Sequence, residues 1–115
     1  MDIETRTEDG ALIVKVMAKR LDSASAPMFK GIMVDFITRE NLRIALDLEH
    51  VEFMDSSGLS ALLSTLKTLK GRGRLVLYGV GPNVAKLFSI TRLDRGVFDI
   101  FPDHEKAMAS LWSQE

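Results

Sequence analysis

A chain of 115 residues has room for one domain with a real core and no room for two, so a single domain over residues 1–115 is expected. With 46% hydrophobic and 27% charged residues it has a globular balance, not a disordered or fibrous one. A net charge of −1 creates no field to gather nucleic acid or an anionic membrane surface, and the lack of cysteine excludes disulfides, thiolate chemistry and cysteine-based zinc sites.

The first residues, Met1 to Arg6, are charged and lack the apolar core of a signal peptide. No apolar run approaches the roughly 18 residues of a membrane span, which leads to the expectation of a cytoplasmic protein without direct membrane contact. Ile3 to Thr7 alternates weakly, as an edge strand does; Glu8-Asp9-Gly10 reads as a turn, and Ala11 to Met17 has the β-branched content of a second strand. Ser23, Ser25 and Pro27 signal a helix start. Met28, Phe29, Ile32, Met33, Phe36 and Ile37 then keep a helical period to Arg39, with Asn41 at the exit. A buried strand over Arg43 to Leu48 is expected to feed through the bend Asp55–Gly58 into a helix. Leu59, Leu62, Leu63, Leu66 and Leu69 make its apolar stripe, and Gly71 is placed to end it in the left-handed region. Arg74 to Tyr78 is another short strand, closed by Gly79 and Gly81. Pro82 opens a third helix with Val84, Leu87, Phe88 and Thr91 inward, Val97 to Phe101 is a last short strand, and Asp103 caps a helix carrying Ala107, Met108, Leu111 and Trp112. The order predicts an α/β fold: a mixed, mostly parallel sheet of about four to five strands with about four helices and an N-terminal β-hairpin at its edge.

The chemistry concentrates at Met54-Asp55-Ser56-Ser57-Gly58-Leu59, where orphan N–H groups and the positive end of a helix dipole collect. One Ser, Thr, Asp or Asn suffices as a cap, and three acceptors stand in line here. Two readings follow from the spacing: an over-provided cap, or a cap by Asp55 or Ser57 with Ser56 projecting outward as a regulated hydroxyl. A phosphate on Ser56 would find the helix start favourable while placing about −1.5 to −2 charges beside Asp55.

Other chemistries have less support. A hydrolase elbow needs glycines on both sides of the serine, and the leading one is missing; the histidines available to a serine nucleophile, His50 and His104, both read as surface residues. Gly71-Arg72-Gly73-Arg74 and Gly79-Val80-Gly81 match no phosphate loop and read as turns. Asp47, Glu49 and Glu52 read as a solvated loop, not a metal shell. Lys67, Lys70, Arg72 and Arg74 suit a helix C-terminus, without the aromatic residues of a nucleic-acid surface.

Asp47-Leu48-x-x-Val51-x-Phe53-Met54-Asp55-Ser56-Ser57-Gly58-Leu59 resembles the signature of the STAS family, the bacterial anti-sigma factor antagonists. Leu21-Asp22 with Ser25-Ala26-Pro27 resembles the family's acidic turn and first helix, and Gly79-x-x-Pro82-x-Val84-x-x-Leu87-Phe88-x-Ile90-Thr91-x-Leu93 its third helix, so the likeness spans nearly the whole chain. The resemblance implies a phosphoserine partner switch. A serine kinase that is also the anti-sigma factor would phosphorylate Ser56 (Ser57 being the second choice), and a metal-dependent serine phosphatase would reset it. ATP and metal would come from those partners, and the chain itself would need no cofactor. Asp22, Asp55, Ser56, Ser57, Gly58 and Leu59 would form the partner-binding surface of a monomer, with a weak dimer as the alternative. The chain departs from the family pattern at Lys19-Arg20, where Gly-Glu is common, and at Ser60, where Gly is common. The competing expectations are a non-switching STAS subunit of a membrane transport complex and an enzyme with a serine nucleophile.

Overall fold

In the computed structural model, which describes residues 1–113, strands Ile3–Glu8 (β1) and Ala11–Val16 (β2) pair antiparallel. Asp9 and Gly10 turn between them at φ 52° and 82°, the positive pair that a two-residue hairpin of this hand requires. Arg20–Leu21 (β3) leads to helix Ala26–Thr38 (α1), and Arg43–Asp47 (β4) is followed by Phe53–Met54 (β5) and helix Ser56–Leu69 (α2). Arg74–Tyr78 (β6), helix Pro82–Ile90 (α3), Asp99–Phe101 (β7) and helix His104–Leu111 (α4) complete the chain. The main sheet has five strands in the order β1-β2-β4-β6-β7, parallel except for the N-terminal hairpin, as the alternation of elements predicted.

Both sheet faces are covered, which is why β2, β4 and β6 read as nearly unbroken apolar runs. Leu12, Val14, Ile44, Leu46, Leu75 and Leu77 join the larger core with Phe29, Met33, Ile37 and Leu62 of α1 and α2. The alternate residues Ala11, Ile13, Ala45, Val76 and Tyr78 meet Ala107, Met108 and Leu111 of α4 on the other face. Asn41 ends α1 as expected, its side chain donating to the carbonyl of Phe36 at 2.9 Å. Gly71 takes φ 79° after α2, and Asp103 caps α4 by accepting from the N–H of Lys106 at 2.9 Å. No helix among the described residues is long and apolar enough to cross a membrane.

Four expectations are corrected. β4 does not feed α2 through one bend: it ends at Asp47, and the chain then makes a separate two-stranded ladder in which β5 runs parallel to β3. Asp47 is not solvated but 5% exposed, and its Oδ1 accepts from the N–H of Glu49 at 2.9 Å. Thr91 is exposed at the end of α3, its hydroxyl satisfied by the Leu87 carbonyl at 2.8 Å, so it contributes no inward apolar surface. Met28 keeps the helical spacing but lies on the solvent side of α1.

Candidate functional site

The site stands at the start of α2, positioned by the small ladder. The carbonyl of Lys19 accepts from the N–H groups of Glu52 at 2.7 Å and Phe53 at 3.2 Å. The next rung pairs Leu21 with Met54, both buried, and brings the turn after β3 against the first turn of α2. Gly58 makes that approach possible: an added Cβ would overlap the Leu21 carbonyl oxygen and lie 2.8 Å from Cγ of Met54.

Asp55 is the N-cap, in extended backbone at φ −112°, ψ −171°. Its Oδ1 accepts from the N–H groups of Ser57 at 2.9 Å and Gly58 at 3.1 Å, while Oδ2 accepts from the N–H of Ser23 at 3.3 Å. One carboxylate therefore caps α2 and ties it to the turn that carries Asp22. Asp22 is engaged in turn, with Oδ1 accepting from the N–H of Ala24 at 3.1 Å and Oδ2 from Nε of Arg20 at 3.1 Å. The Arg20 guanidinium, with help from the backbone N–H groups, holds the Asp22 carboxyl below the usual carboxylate range against a smaller opposing effect of burial. Ser25 is the N-cap residue of α1 but does not cap it through its side chain; its hydroxyl accepts from the N–H of Asp22 at 3.1 Å instead, locking the turn.

Ser56 is the first residue of α2 and exposed, and its hydroxyl makes no hydrogen bond among the described residues. Ser57 is half-buried and lines a groove of about 360 Å³ between α1 and α2, with Pro27, Lys30 and Ser60 on its walls. The two adjacent serines thus face different surroundings. Of the residues expected to make the surface, Asp22, Asp55, Ser56 and Ser57 come together there. Gly58 and Leu59 do not present side chains: Gly58 is sealed under Leu21, and Leu59 is a core residue at 6% exposure because its place in the helix turns it inward.

One residue beside the site, Phe53, is not among those expected to form the partner surface. Phe53 is 39% exposed, and Cζ of Arg20 lies 4.2 Å from its ring centroid. The local signal for its exposure is its alternation with Met54, which points one of the pair outward. His50 is exposed in the β4–β5 loop. His104 is half-buried; it meets Glu8 at 3.2 Å, and its ring centroid lies 5.7 Å from that of Tyr78 in an edge-on arrangement, on the sheet face covered by α4. Neither histidine is hydrogen-bonded to a serine among the described residues, and no group of three or more of their Asp, Glu and His side chains is arranged to hold a metal ion.

Comparison with known proteins agrees with this architecture. The STAS domain model matches residues 2–107. The anti-sigma-B factor antagonist of Listeria monocytogenes is 32% identical over 94 residues, which are 81% of this chain and 82% of that one. Among solved structures, an anti-sigma factor antagonist from Mycobacterium paratuberculosis superposes with a TM-score of 0.88 at 23% identity, over 97% of this chain and 94% of that one. The Bacillus cell fate determinant SpoIIAA in its phosphorylated form shares the fold, with a TM-score of 0.70 at 19% identity over 95% of this chain and 97% of that one. By the match over nearly its whole length, this chain belongs to the STAS domain family.

Proposed function

We propose that this protein is an anti-sigma factor antagonist working as a phosphoserine-controlled partner switch, with Ser56 as the modified residue. The observation that carries the reading is the division of labour at the helix start: Asp55 does the capping, and the neighbouring hydroxyl of Ser56 is left exposed and unengaged. The relative in Listeria, an anti-sigma-B factor antagonist by name, supports the partner class.

The unmodified surface of Asp22, Asp55, Ser56 and Ser57 docks on a serine kinase that is also the anti-sigma factor and so releases that factor's target. Phosphorylation adds about −1.5 to −2 charges at Ser56. Because Asp55 already occupies the N–H groups of Ser57 and Gly58, the phosphate has few helix-end donors to fold back onto. Its charge therefore points outward, beside Asp55, and opposes the partner. Like-charge juxtaposition at an interface costs several kcal/mol, so binding should weaken by about 100- to 1,000-fold with no change of fold. A metal-dependent serine phosphatase resets the switch.

The deciding experiment maps phosphate on protein recovered from growing cells and measures partner affinity for Ser56→Ala and Ser56→Asp. The proposal expects phosphate on Ser56, full binding by the alanine variant and loss of binding by the aspartate variant. Phosphate confined to Ser57 would move the site by one residue. Partner binding indifferent to Ser56→Asp would point to a constitutive subunit.

A further inference from the structure

The far end of α2 carries a second surface, unlike the first in charge and shape. Leu63 and Leu66 are only half-buried, and with Val97, 38% exposed, they floor an open groove of about 400 Å³ between the last turns of α2 and the segment after α3. Lys67 and Lys70 stand on its rim. Both are exposed, and neither has an ion-pair partner among the described residues. Arg92 and Arg95, in the segment that closes the groove, are likewise exposed and unpaired among those residues. Against these four cations the segment 91–98 has one acid, Asp94, while Glu40 near the end of α2 is already engaged by Arg72 at 3.2 Å. The helix dipole accounts for lysines in a last turn. It does not account for an aliphatic floor left open between them.

We infer that this groove is a docking site for an acidic amphipathic helix of a partner protein, whose apolar side chains seat on Leu63, Leu66 and Val97 and whose carboxylates meet Lys67 and Lys70. The groove takes a few aliphatic side chains, as an i, i+3, i+4 stripe would present them. The charge around it selects an acidic flank over a basic one. Along α2 the groove residues Leu63 to Lys70 lie about 10–20 Å from Ser56, so one partner segment could hold here while the phosphoserine end binds or releases. The inference does not depend on the switch.

A test uses the isotope-labelled full chain and a synthetic capped helical peptide with leucines at that spacing and glutamates on both flanks, followed by NMR. The expected result is peptide-dependent shifts confined to residues around Leu63, Leu66, Lys67 and Val97, unchanged by Ser56→Asp. Lys67→Glu combined with Lys70→Glu, both on exposed positions, should weaken binding by about tenfold. Exchanging the peptide's glutamates for lysines should restore binding to that double variant. Val97→Ser leaves the rim lysines in place and tests the floor alone: it should weaken binding of the acidic peptide, and unchanged binding would overturn the apolar part of the inference. Equal binding of acidic and basic peptides, or shifts centred on residues 22–25 and 55–60, would overturn the inference. So would the same shifts appearing with protein concentration alone, which would assign the groove to a second copy of the chain, or appearing with anionic phospholipid vesicles and not with the peptide.

Discussion

The carbonyl oxygen of Leu21 lies where a side chain on Gly58 would have to start. That contact joins the ladder to α2, so the requirement for glycine comes from the neighbour's backbone and not from helix propensity, which glycine lowers. Gly58→Ala should therefore destabilise the fold by about 1–3 kcal/mol through forced separation of the two segments. Gly31, inside α1 with nothing within 4 Å of its missing Cβ, is the control. There alanine should stabilise by about 0.5–1 kcal/mol. Urea unfolding of the two variants checks the contrast, and shifts of the same sign would contradict the packing described.

Asp55 and Ser56 should separate stability from switching. Asp55→Ala removes the cap on α2 and its tie to Ser23, and should cost about 1–2 kcal/mol. Asp55→Asn keeps one acceptor for the cap and should fall in between. Ser56→Ala, on an exposed and unengaged side chain, should stay within about 0.5 kcal/mol of the native chain. Denaturant midpoints decide the matter: a loss at Ser56 as large as that of Asp55→Ala would mean the serine shares in the cap.

The helix start was legible in the sequence because Asp55, Ser56 and Ser57 sit together just before the leucine period. The three roles were not, since they depend on the bond from Ser23 to Asp55 across 32 positions. The pair β3 and β5 escaped for a related reason. Each has two residues, too few to show a period, and what defines them is their mutual register. Phe53 follows the apolar Val51 at a spacing of two, and its alternation with Met54 alone is too short to mark which of the pair faces out. Asp47 went the other way: its charge suggested solvent, although the turn to Glu49 satisfies the carboxylate inside. The longer elements, whose alternation or helical spacing repeats several times, came out within a residue or two of their observed ends.

Arg20 and Asp22 make a prediction on the acid side. The guanidinium, at 3.1 Å, is the largest cause of the lowered Asp22 pKa, with the N–H groups of Ala24 and Ser25 adding to it. A carboxyl with a lowered folded-state pKa contributes stability above its unfolded value, near 3.8, and loses it as pH falls through the folded value. Arg20→Gln should bring the Asp22 titration back toward 3.8, leaving the part due to the backbone. Below that pH the variant should lose less stability on acidification than the native chain does. Carboxyl carbon shifts of Asp22 followed by NMR read this directly, and identical midpoints in the two proteins would rule out Arg20 as the cause.

On the alkaline side the reporter is Tyr78, the chain's single tyrosine, so phenolate absorbance belongs to one residue. Its ring is 6% exposed at the end of β6, on the sheet face covered by α4. Burial first, and the Asp47 carboxylate second, push its hydroxyl from 10.0 up to about 12. Both resist the phenolate. The folded state is therefore favoured fully below pH 10.0, and that contribution fades as pH rises toward about 12, because the unfolded chain loses its proton first. Absorbance should show a native midpoint near 12, and stability should decline from pH 10 upward more steeply than in Tyr78→Phe. Asp47→Asn keeps the acceptor for the N–H of Glu49 while removing the charge, so it should lower the native midpoint without restoring 10.0. A native midpoint already at 10.0 would mean that water reaches the hydroxyl and that α4 does not close this face of the sheet.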